Sequence, residues 1–315
     1  MQLGKTSRIY VAGHRGLVGS AVVRALQTRG CENLILRTHQ ELDLTDQLAV
    51  RQFFEAERPD AVIMAAARVG GIFANDSRPA TFIRDNLLIQ DNVIDASHQC
   101  GVAKFVFLGS SCIYPRLSPQ PIKEEYLLTG PLEPTNEWYA IAKIAGVKMC
   151  QAYRRQFGFN AISLMPSNLY GPGDNFDLQN SHVLPALVRR IHEAKVRGDE
   201  SVTVCGTGTP RREFLHVDDL ADAILYLLHA YDGESIVNIG WGEDVTIREL
   251  ADLILSVIGY SGRLSFDSTK LDGAPRKLLD VTRLTDLGWK PRITLRRGIE
   301  QTYAWFKEHY ADARL

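Results

Sequence analysis

A glycine-rich turn between an apolar strand and a helix constrains the fold of this chain more than any other feature. Residues 7–12, SRIYVA, have the β-branched and apolar character of a buried strand, and residues 20–30 read as a helix. The turn between them consists of Gly13, His14, Arg15, Gly16, Leu17, Val18 and Gly19. In this context G-x-x-G-x-x-G predicts dinucleotide binding, because glycines allow close backbone approach and the helix N-terminus faces the pyrophosphate.

Strands and helices alternate through the first half of the chain. Further strands are predicted at 33–37, 60–67, 103–109 and 161–166, and further helices at 45–58, 79–100 and 136–157. This alternation predicts an α/β fold: a doubly wound, Rossmann-type parallel sheet with a smaller, mostly C-terminal α/β substrate lobe. We expect the dinucleotide-binding domain to span residues 1–169, with about 213–241 returning to it, and the substrate lobe to span 170–212 and 242–315.

The end of the second strand indicates which dinucleotide is bound. An acidic residue at this position typically contacts the ribose hydroxyls of NAD, but this chain has Arg37. Together with Arg15 in the glycine turn, Arg37 could hold a 2′-phosphate, which favours NADP(H). The alternative is that Arg37 only covers an exposed strand end.

Tyr139 and Lys143 lie four residues apart in a predicted helix, so their side chains share one face. An ammonium near a phenol favours the phenolate, and we therefore expect Lys143 to lower the pKa of Tyr139. Tyr139 would then donate a proton to a carbonyl at neutral pH. Y-x-x-x-K also occurs in ordinary amphipathic helices. The catalytic interpretation of this pair therefore depends also on the residues that precede it.

Those residues are Ser110 and Cys112, directly after the predicted fourth strand. In an open parallel sheet, ligands bind at the carboxyl ends of the strands. If the chain stays extended, both side chains point to the same side, toward the cofactor. Ser110 could donate a hydrogen bond to a substrate carbonyl. A free cysteine is more often a small buried apolar residue, and that alternative stays open for Cys112.

The second half of the chain offers basic residues for an anionic substrate. Guanidinium groups match phosphate oxygens, so Arg190 and Arg212 could each bind a substrate diphosphate, although either could equally be a surface charge. His182 heads an apolar helix, and a lone histidine is more often structural than catalytic.

Composition limits the partners and the compartment. The net charge of −1 gives no strong field for nucleic acid or a membrane, and no apolar run is long enough to span a bilayer. The five cysteines include no CxxC pair, so we expect neither a disulfide framework nor a metal site. With no signal peptide at the N-terminus, these features favour the cytoplasm.

Several longer motifs now point to one family. With GHRGLVG, LGSSCIYP, EPTNEWYAIAKIAG, NLYGPGDNF, SHVLPAL and GTPRREFLHVDDLA, the chain resembles the GDP-L-fucose synthases over nearly its whole length. They belong to the extended short-chain dehydrogenase/reductase superfamily. The resemblance implies conversion of GDP-4-keto-6-deoxy-D-mannose to GDP-L-fucose, by epimerisation at C3 and C5 and NADPH-dependent reduction of the 4-keto group. It also implies a homodimer that uses the tyrosine helix.

The resemblance implies roles for individual residues. Ser110, Tyr139 and Lys143 would form the reductase triad, and Cys112 and His182 would be the base and the acid of epimerisation. Asp43, Lys143 and His182 would contact the cofactor. Substrate contacts would come from Arg190, Cys205, Arg212 and Asp272. Cys205 departs from the family pattern, since bacterial members carry a tryptophan against the nucleotide base there.

Four alternatives to this function are considered. A 4,6-dehydratase would have acidic residues where this chain has Ser111 and Cys112, and a 4-epimerase would retain NAD, whereas Arg37 favours NADP. A colitose synthase uses similar residues on a 3,6-dideoxy keto sugar and is not excluded by the sequence. A catalytically silent binding subunit is disfavoured because Ser110, Tyr139 and Lys143 are all present.

Overall fold

A computed structural model of the chain describes residues 4–178, 180–270 and 272–311, and for Ile72 and Phe73 it describes only the backbone. The predicted domain limits at residues 1 and 315 lie outside this range. The described strands are β1 (Ile9–Ala12), β2 (Leu34–Ile35), β3 (Ala61–Met64), β4 (Lys104–Leu108), β5 (Ala161–Pro166), β6 (Asn168–Tyr170), β7 (Ser201–Cys205), β8 (Arg211–His216), β9 (Val237–Ile239), β10 (Asp244–Thr246), β11 (Arg263–Asp267) and β12 (Arg276–Lys277). The described α-helices are α1 (Leu17–Thr28), α2 (Gln47–Glu57), α3 (Ile72–Ser77), α4 (Pro79–Gln99), α5 (Glu137–Phe157), α6 (Val183–Arg197), α7 (Val217–Ala230), α8 (Ile247–Ile258), α9 (Thr282–Asp286) and α10 (Leu295–Glu308).

Six strands form one parallel sheet in the order β2, β1, β3, β4, β5, β9. The order reverses between β1 and β3, and in open α/β sheets a ligand binds at such a switch point. The predicted doubly wound, Rossmann-type fold is therefore confirmed.

The central strand β4 shows how the sequence covers both faces of this sheet. Phe105 and Phe107 pack into one core, whereas Val106 joins a second core on the opposite face. The first core includes residues of α2, α4 and α5, and the second includes residues of α1 and α7. A parallel strand that is buried on both faces reads as a continuous apolar run, which is why β4 was predictable.

The remaining strands build the substrate side of the molecule. Strand β8 pairs with β6, β10 and β12, and β7 pairs with β11. A third core fills the space beneath α6, α8 and α10. Although β9 follows β8 by some twenty residues, it lies at the edge of the six-stranded sheet, beside β5. The division into two domains stays a prediction.

Helix α5 carries the predicted tyrosine–lysine pair and packs closely against α4. A Cβ atom added at Gly146 would lie 2.7 Å from Oε1 of Gln90, a residue of α4. Nε2 of Gln90 also donates a hydrogen bond of 2.7 Å to the carbonyl of Ala142. The small residues of α5 therefore serve contact with a helix of the same chain.

Candidate active site

The glycine turn forms a backbone cradle at the end of β1. Gly13 has a φ of 80°, and a Cβ added there would lie 2.8 Å from the backbone of Ala66, just after β3. A Cβ at Gly19 would clash with the carbonyl of Gly13. Only glycine fits these two positions, and α1 begins at Leu17, between them. The binding of the cofactor pyrophosphate by this cradle stays a prediction, and the close approach of Gly13 to Ala66 explains why the segment after β3 has small side chains.

Basic side chains lie beside this cradle, where a 2′-phosphate would be held. Arg37 forms an ion pair with Glu57 and places its guanidinium 5.7 Å from the ring centre of Phe53. The positive charges of Arg15 and Arg37 both reach Glu41, although hydrogen bonds from Thr38 contribute more to the lowered pKa of Glu41. Arg37 thus already has one carboxylate partner, Glu57, and Glu41 is a second anion near both guanidinium groups.

Two other predicted cofactor residues, Asp43 and His14, differ in whether their polar atoms have hydrogen-bond partners. Oδ1 of Asp43 accepts hydrogen bonds from the backbone N–H (2.9 Å) and the hydroxyl (2.8 Å) of Thr45, and these bonds lower the pKa of Asp43. Nδ1 of His14 is buried and has no hydrogen-bond partner among the described residues. A bound cofactor is the natural candidate to satisfy this nitrogen.

Ser110, Tyr139 and Lys143 meet at the carboxyl end of β4. A hydrogen bond joins the side chains of Ser110 and Tyr139. Lys143 is buried and donates a hydrogen bond of 2.8 Å from Nζ to the carbonyl of Leu108. Its ammonium lies 5.8 Å from the ring centre of Tyr139 and 5.0 Å from that of Phe107.

The pKa of Tyr139 does not move in the predicted direction. Burial raises it well above its usual value, the nearby Cys112 raises it further, and the hydrogen bond with Ser110 only partly offsets these effects. Burial also lowers the pKa of Lys143 to about 8. The expectation that Lys143 lowers the pKa of Tyr139 is therefore wrong for the chain alone, because desolvation outweighs the distant ammonium. Tyr139 stays protonated at neutral pH, as a proton donor must be.

Cys112 also lies near the Tyr139 phenol, but the backbone that places it there forms a turn and is not extended. Residues 111–113 form a 3₁₀ turn, and Oγ of Ser110 accepts a hydrogen bond of 3.2 Å from the backbone N–H of Cys112. The chain therefore does not stay extended here, since Ser110 caps this turn. The turn nevertheless keeps the sulfur close enough to Tyr139 to affect its pKa.

The sulfur of Cys112 has two N–H donors that the sequence did not suggest. Nδ2 of Asn136 lies 3.3 Å from Sγ, and Nζ of Lys277 lies 3.6 Å from it. Lys277 is separated from Cys112 by 165 positions, and long-range contacts such as the pairing of β12 with β8 place it here. Lys277 is therefore identified by its position in space beside Ser110, Ser111 and Cys112, not by its position in the sequence.

His182 forms the N-terminal boundary of α6, and its side chain remains exposed to solvent although protein atoms surround part of it. This desolvation, together with the charge of Lys277, lowers the pKa of His182. The imidazole is therefore neutral near pH 7 in the chain alone, and Lys277, not His182, supplies positive charge beside Cys112.

The predicted substrate residues form two groups. Arg212 lies close enough to Cys112, Glu133 and Asp272 for their charges to act on it, although burial dominates and lowers its pKa. Asp272 accepts hydrogen bonds of 2.8 Å and 2.7 Å from the backbone and hydroxyl of Thr207, and so fixes the turn after β7.

Arg190 and Cys205 form the second group. Nη1 of Arg190 lies 3.6 Å from Sγ of Cys205, and Cys205 is exposed at the end of β7. The predicted base-recognition position is thus open to solvent and has a guanidinium beside it.

Two features of composition can be checked against the structure. Within the described residues, no helix is long and apolar enough to cross a membrane. In the same part of the chain, no three histidine, cysteine or acidic side chains are grouped so that they could hold a metal ion.

Residues 9–240 match the profile of the NAD dependent epimerase/dehydratase family. The chain is 63% identical over 308 residues to GDP-L-fucose synthase 1 of Arabidopsis thaliana, with 98% of this chain and 95% of that protein covered. A GDP-L-colitose synthase of Yersinia pseudotuberculosis is more distant, at 36% identity over 301 residues, with 95% of this chain and 97% of that protein covered. A GDP-L-fucose synthetase from Naegleria fowleri, solved with NADP bound, superposes with a TM-score of 0.93 at 31% identity, with 100% of this chain and 97% of that chain covered.

Proposed function

Because this chain belongs to the NAD dependent epimerase/dehydratase family, in the group of the GDP-L-fucose synthases, we propose that it converts GDP-4-keto-6-deoxy-D-mannose to GDP-L-fucose. The conversion consists of epimerisation at C3 and C5 and then reduction of the 4-keto group. The enzyme is an NADP-dependent oxidoreductase with epimerase activity. One observation carries the proposal: the Ser110 hydroxyl and the Cys112 thiol both lie beside the Tyr139 phenol, so one site holds groups for both reactions.

Reduction needs a proton donor at the 4-keto oxygen. NADPH, when bound, supplies the hydride. We assign the proton to Tyr139, whose raised pKa keeps it protonated, and a second hydrogen bond to Ser110. Lys143 is held by the carbonyl of Leu108, behind the phenol, and its ammonium stabilises the negative charge left on Tyr139 after proton transfer.

Epimerisation needs a base and an acid at carbons that flank the same carbonyl. The protons at C3 and C5 are acidified by the 4-keto group, and their removal gives an enolate whose oxygen is the later alkoxide oxygen. Ser110 and Tyr139 can therefore stabilise both species with the same hydrogen bonds. We assign the base to Cys112 and the acid to His182.

His182 can act as the acid only when it is protonated, so its pKa must be higher in the substrate complex than in the chain alone. Its imidazole is neutral there, because desolvation and Lys277 lower its pKa. The substrate brings two phosphate charges, and Arg212, whose guanidinium is assigned to the diphosphate, lies near Cys112. Negative charge brought close to His182 by the bound substrate would raise its pKa, so that substrate binding prepares the acid.

The guanidinium groups of Arg190 and Arg212 are assigned to the diphosphate, and Asp272 keeps the turn after β7 in place for the nucleotide. Cys205, beside Arg190, is the assigned neighbour of the guanine base. Asp43 and Arg37 are assigned to the adenosine end of the cofactor, and Lys143 and His182 to its nicotinamide end.

The chain is also proposed to act as a homodimer in the cytoplasm. Trp138, Ile141 and Leu87 are large apolar side chains that are each more than a third exposed on α5 and α4, where the family's dimer helices are expected. Their exposure supports a partner surface. All five cysteines are free thiols, which suits a reducing compartment.

A product assay tests the function. The full chain is incubated with NADPH and GDP-4-keto-6-deoxy-D-mannose, with the dTDP-linked keto sugar, or with the GDP-linked 3,6-dideoxy keto sugar, and products are identified by proton NMR. We expect GDP-L-fucose with one NADPH oxidised per product. Faster turnover of the 3,6-dideoxy sugar would favour colitose synthesis. A product reduced without inversion would remove the epimerase assignment, and no turnover with any sugar would indicate a silent subunit.

A further inference from the structure

Two side chains without an assigned role, Asn136 and Lys277, donate N–H groups to the sulfur of Cys112, at 3.3 Å and 3.6 Å. A thiolate is a much better hydrogen-bond acceptor than a thiol. Two donors on one half-buried sulfur therefore indicate a site built for the anion.

Lys277 is anchored on both sides so that its ammonium stays at the sulfur. In β12 it pairs in register with Arg212, and the preceding residue, Arg276, forms an ion pair of 2.5 Å with Asp244. The following residue, Leu278, donates its backbone N–H to Oε1 of Gln120 at 2.9 Å.

The stretch that follows Cys112 is attached to the same segment. The backbone N–H of Ile122 donates to the carbonyl of Leu278 at 2.7 Å, and that of Asp280 donates to the carbonyl of Ile122 at 2.8 Å. Nearer the thiol, the Tyr114 hydroxyl donates to Oδ1 of Asn238 at 2.6 Å. The sulfur and the ammonium are thus positioned by one connected set of hydrogen bonds.

Asn136 is placed by the turn that begins the tyrosine helix. It ends the 3₁₀ turn at residues 134–136, three positions before Tyr139. Its amide nitrogen faces the sulfur, while its Oδ1 is buried with no hydrogen-bond partner in the described part of the chain. An amide held in a buried position for one sulfur contact is more costly than an apolar side chain there, unless the contact has a use.

The titratable groups that face Cys112 come from three elements: Lys277 from β12, Arg212 from β8 and the neutral Tyr139 phenol from α5. Lys277 and Arg212 both place positive charge near the sulfur. The carboxylates of Glu133 and Asp272 also act on Arg212, which leaves Lys277 as the cation in contact with the sulfur.

We propose that Lys277, assisted by Asn136, holds Cys112 as a thiolate, and so sets the base for epimerisation. Lys277 is a positioning residue, since it acts through the sulfur. The inference rests on the proposed function for the identity of the base, but the thiolate itself can be measured without substrate.

The test is alkylation of Cys112 by iodoacetamide, followed peptide by peptide by mass spectrometry from pH 5.5 to 10 with no substrate present. Only the thiolate reacts at an appreciable rate. Loss of an adjacent unit charge in Lys277→Met should slow alkylation of Cys112 near pH 7 by about tenfold and move the profile to higher pH. Lys277→Arg should restore most of the rate. Lys290→Met, an exposed lysine outside the site, should leave the profile unchanged.

Asn136→Asp tests the same proposal without changing Lys277. A carboxylate in place of the amide donor repels the thiolate, so the alkylation profile of Cys112 should again move to higher pH. Unfolding curves for both variants show whether the fold is retained. If Cys112 alkylation keeps the parental profile in both folded variants, the proposal is wrong.

Two further outcomes separate this inference from the proposed function. A Lys277→Met enzyme with a higher KM for the GDP-sugar and an unchanged alkylation profile would make Lys277 a diphosphate contact and overturn the inference. A chain that shows the alkylation shift but forms no GDP-L-fucose would uphold the thiolate and refute the proposed reaction.

Discussion

The guanidinium of Arg37 and the carboxylate of Glu57 form an ion pair beside the glycine cradle. Glu57 also pairs with Arg8 at 2.6 Å, so one carboxylate is shared by two cations. The side chain of Arg37 is still 36% exposed. Glu57 therefore holds Arg37 at the end of β2 without covering it, and a 2′-phosphate would bind to a guanidinium that is already in place.

We predict that Arg37→Asp reduces or reverses the preference for NADPH over NADH. A charge-assisted hydrogen bond contributes about 1.5–3 kcal/mol, which corresponds to a preference of about tenfold or more. The measurement is kcat/KM for both cofactors. Glu57→Gln is the matched control, since it keeps Arg37 and removes its competing anion, and should preserve or increase the preference. Equal kcat/KM for the two cofactors in the parent enzyme would contradict the role of Arg37.

Tyr139→Phe is predicted to bind NADPH nearly as well as the parent while losing most keto-sugar reduction. Only the hydroxyl is lost, and a general acid contributes typically about 10²–10⁴-fold to the rate. Single-turnover oxidation of NADPH, with cofactor affinity measured separately by fluorescence, separates the two effects. Reduction by the Phe variant at close to the parental rate would make Tyr139 a structural residue.

Exchange of hydrogen with deuterated water is predicted to separate epimerisation from reduction. With NADP⁺ bound, the parent enzyme should incorporate deuterium at C3 and C5 of the keto sugar. Cys112→Ala should abolish this exchange yet still reduce the unepimerised sugar slowly, whereas His182→Ala should stop net inversion and retain some exchange through the base. Proton NMR of the recovered sugar measures both positions. Parental exchange in Cys112→Ala would place the base on another residue.

A third histidine, His216, is predicted to make the fold sensitive to acid. Its ring is fully buried, its Nδ1 accepts the backbone N–H of Asp218 at 3.2 Å, and burial lowers its pKa to about 4. The unfolded chain has the usual value of about 6.5, so it binds more protons than the folded chain between these limits. Stability is then lost as the pH falls from about 6.5 to about 4, by at most about 3 kcal/mol.

Asn at position 216 keeps a cap acceptor for α7 but does not titrate. Urea unfolding of the parent and of His216→Asn at pH 5 and pH 7.5 should therefore show a smaller loss in the variant. If both proteins lose the same stability between pH 7.5 and pH 5, a group other than His216 causes the loss.

The exposed apolar face of α5 is predicted to be a subunit interface. Ile141→Glu should convert a dimer into a monomer, because a carboxylate would be buried without a partner. Light scattering after size exclusion gives the mass. Leu117→Glu is the matched control, since Leu117 is 81% exposed and lies outside α4 and α5. A monomeric parent would refute the dimer.

The sheet and the glycine turn could be predicted from the sequence because their signals are local. Strand β4 is buried on both faces and thus apolar throughout, and Gly13 is needed for its positive φ beside Ala66. The pairing of Tyr139 with Ser110 also followed, because the carboxyl end of a parallel strand and the start of the next helix lie at the same edge of the sheet.

The sequence could not predict which of several opposing effects determines the pKa of each group. Proximity of Lys143 to Tyr139 is readable from their spacing, but the desolvation that outweighs it depends on the whole surrounding core. Contacts between distant segments were equally hidden. Lys277 is brought to the thiol by long-range contacts: the pairing of β12 with β8 and the hydrogen bonds of Leu278 with Gln120 and Ile122.

The pairing of the segment around Leu278 with the loop around Ile122 also orders the events of biosynthesis. Residues 110–143, which hold Ser110, Cys112, Tyr139 and Lys143, leave the ribosome well before Lys277 does. A nascent chain that stalls, or is cut, before residue 277 would therefore carry the hydride-transfer groups while its thiol still lacks the ammonium. On the proposed assignment, the groups for epimerisation are therefore complete only after those for reduction have been synthesised.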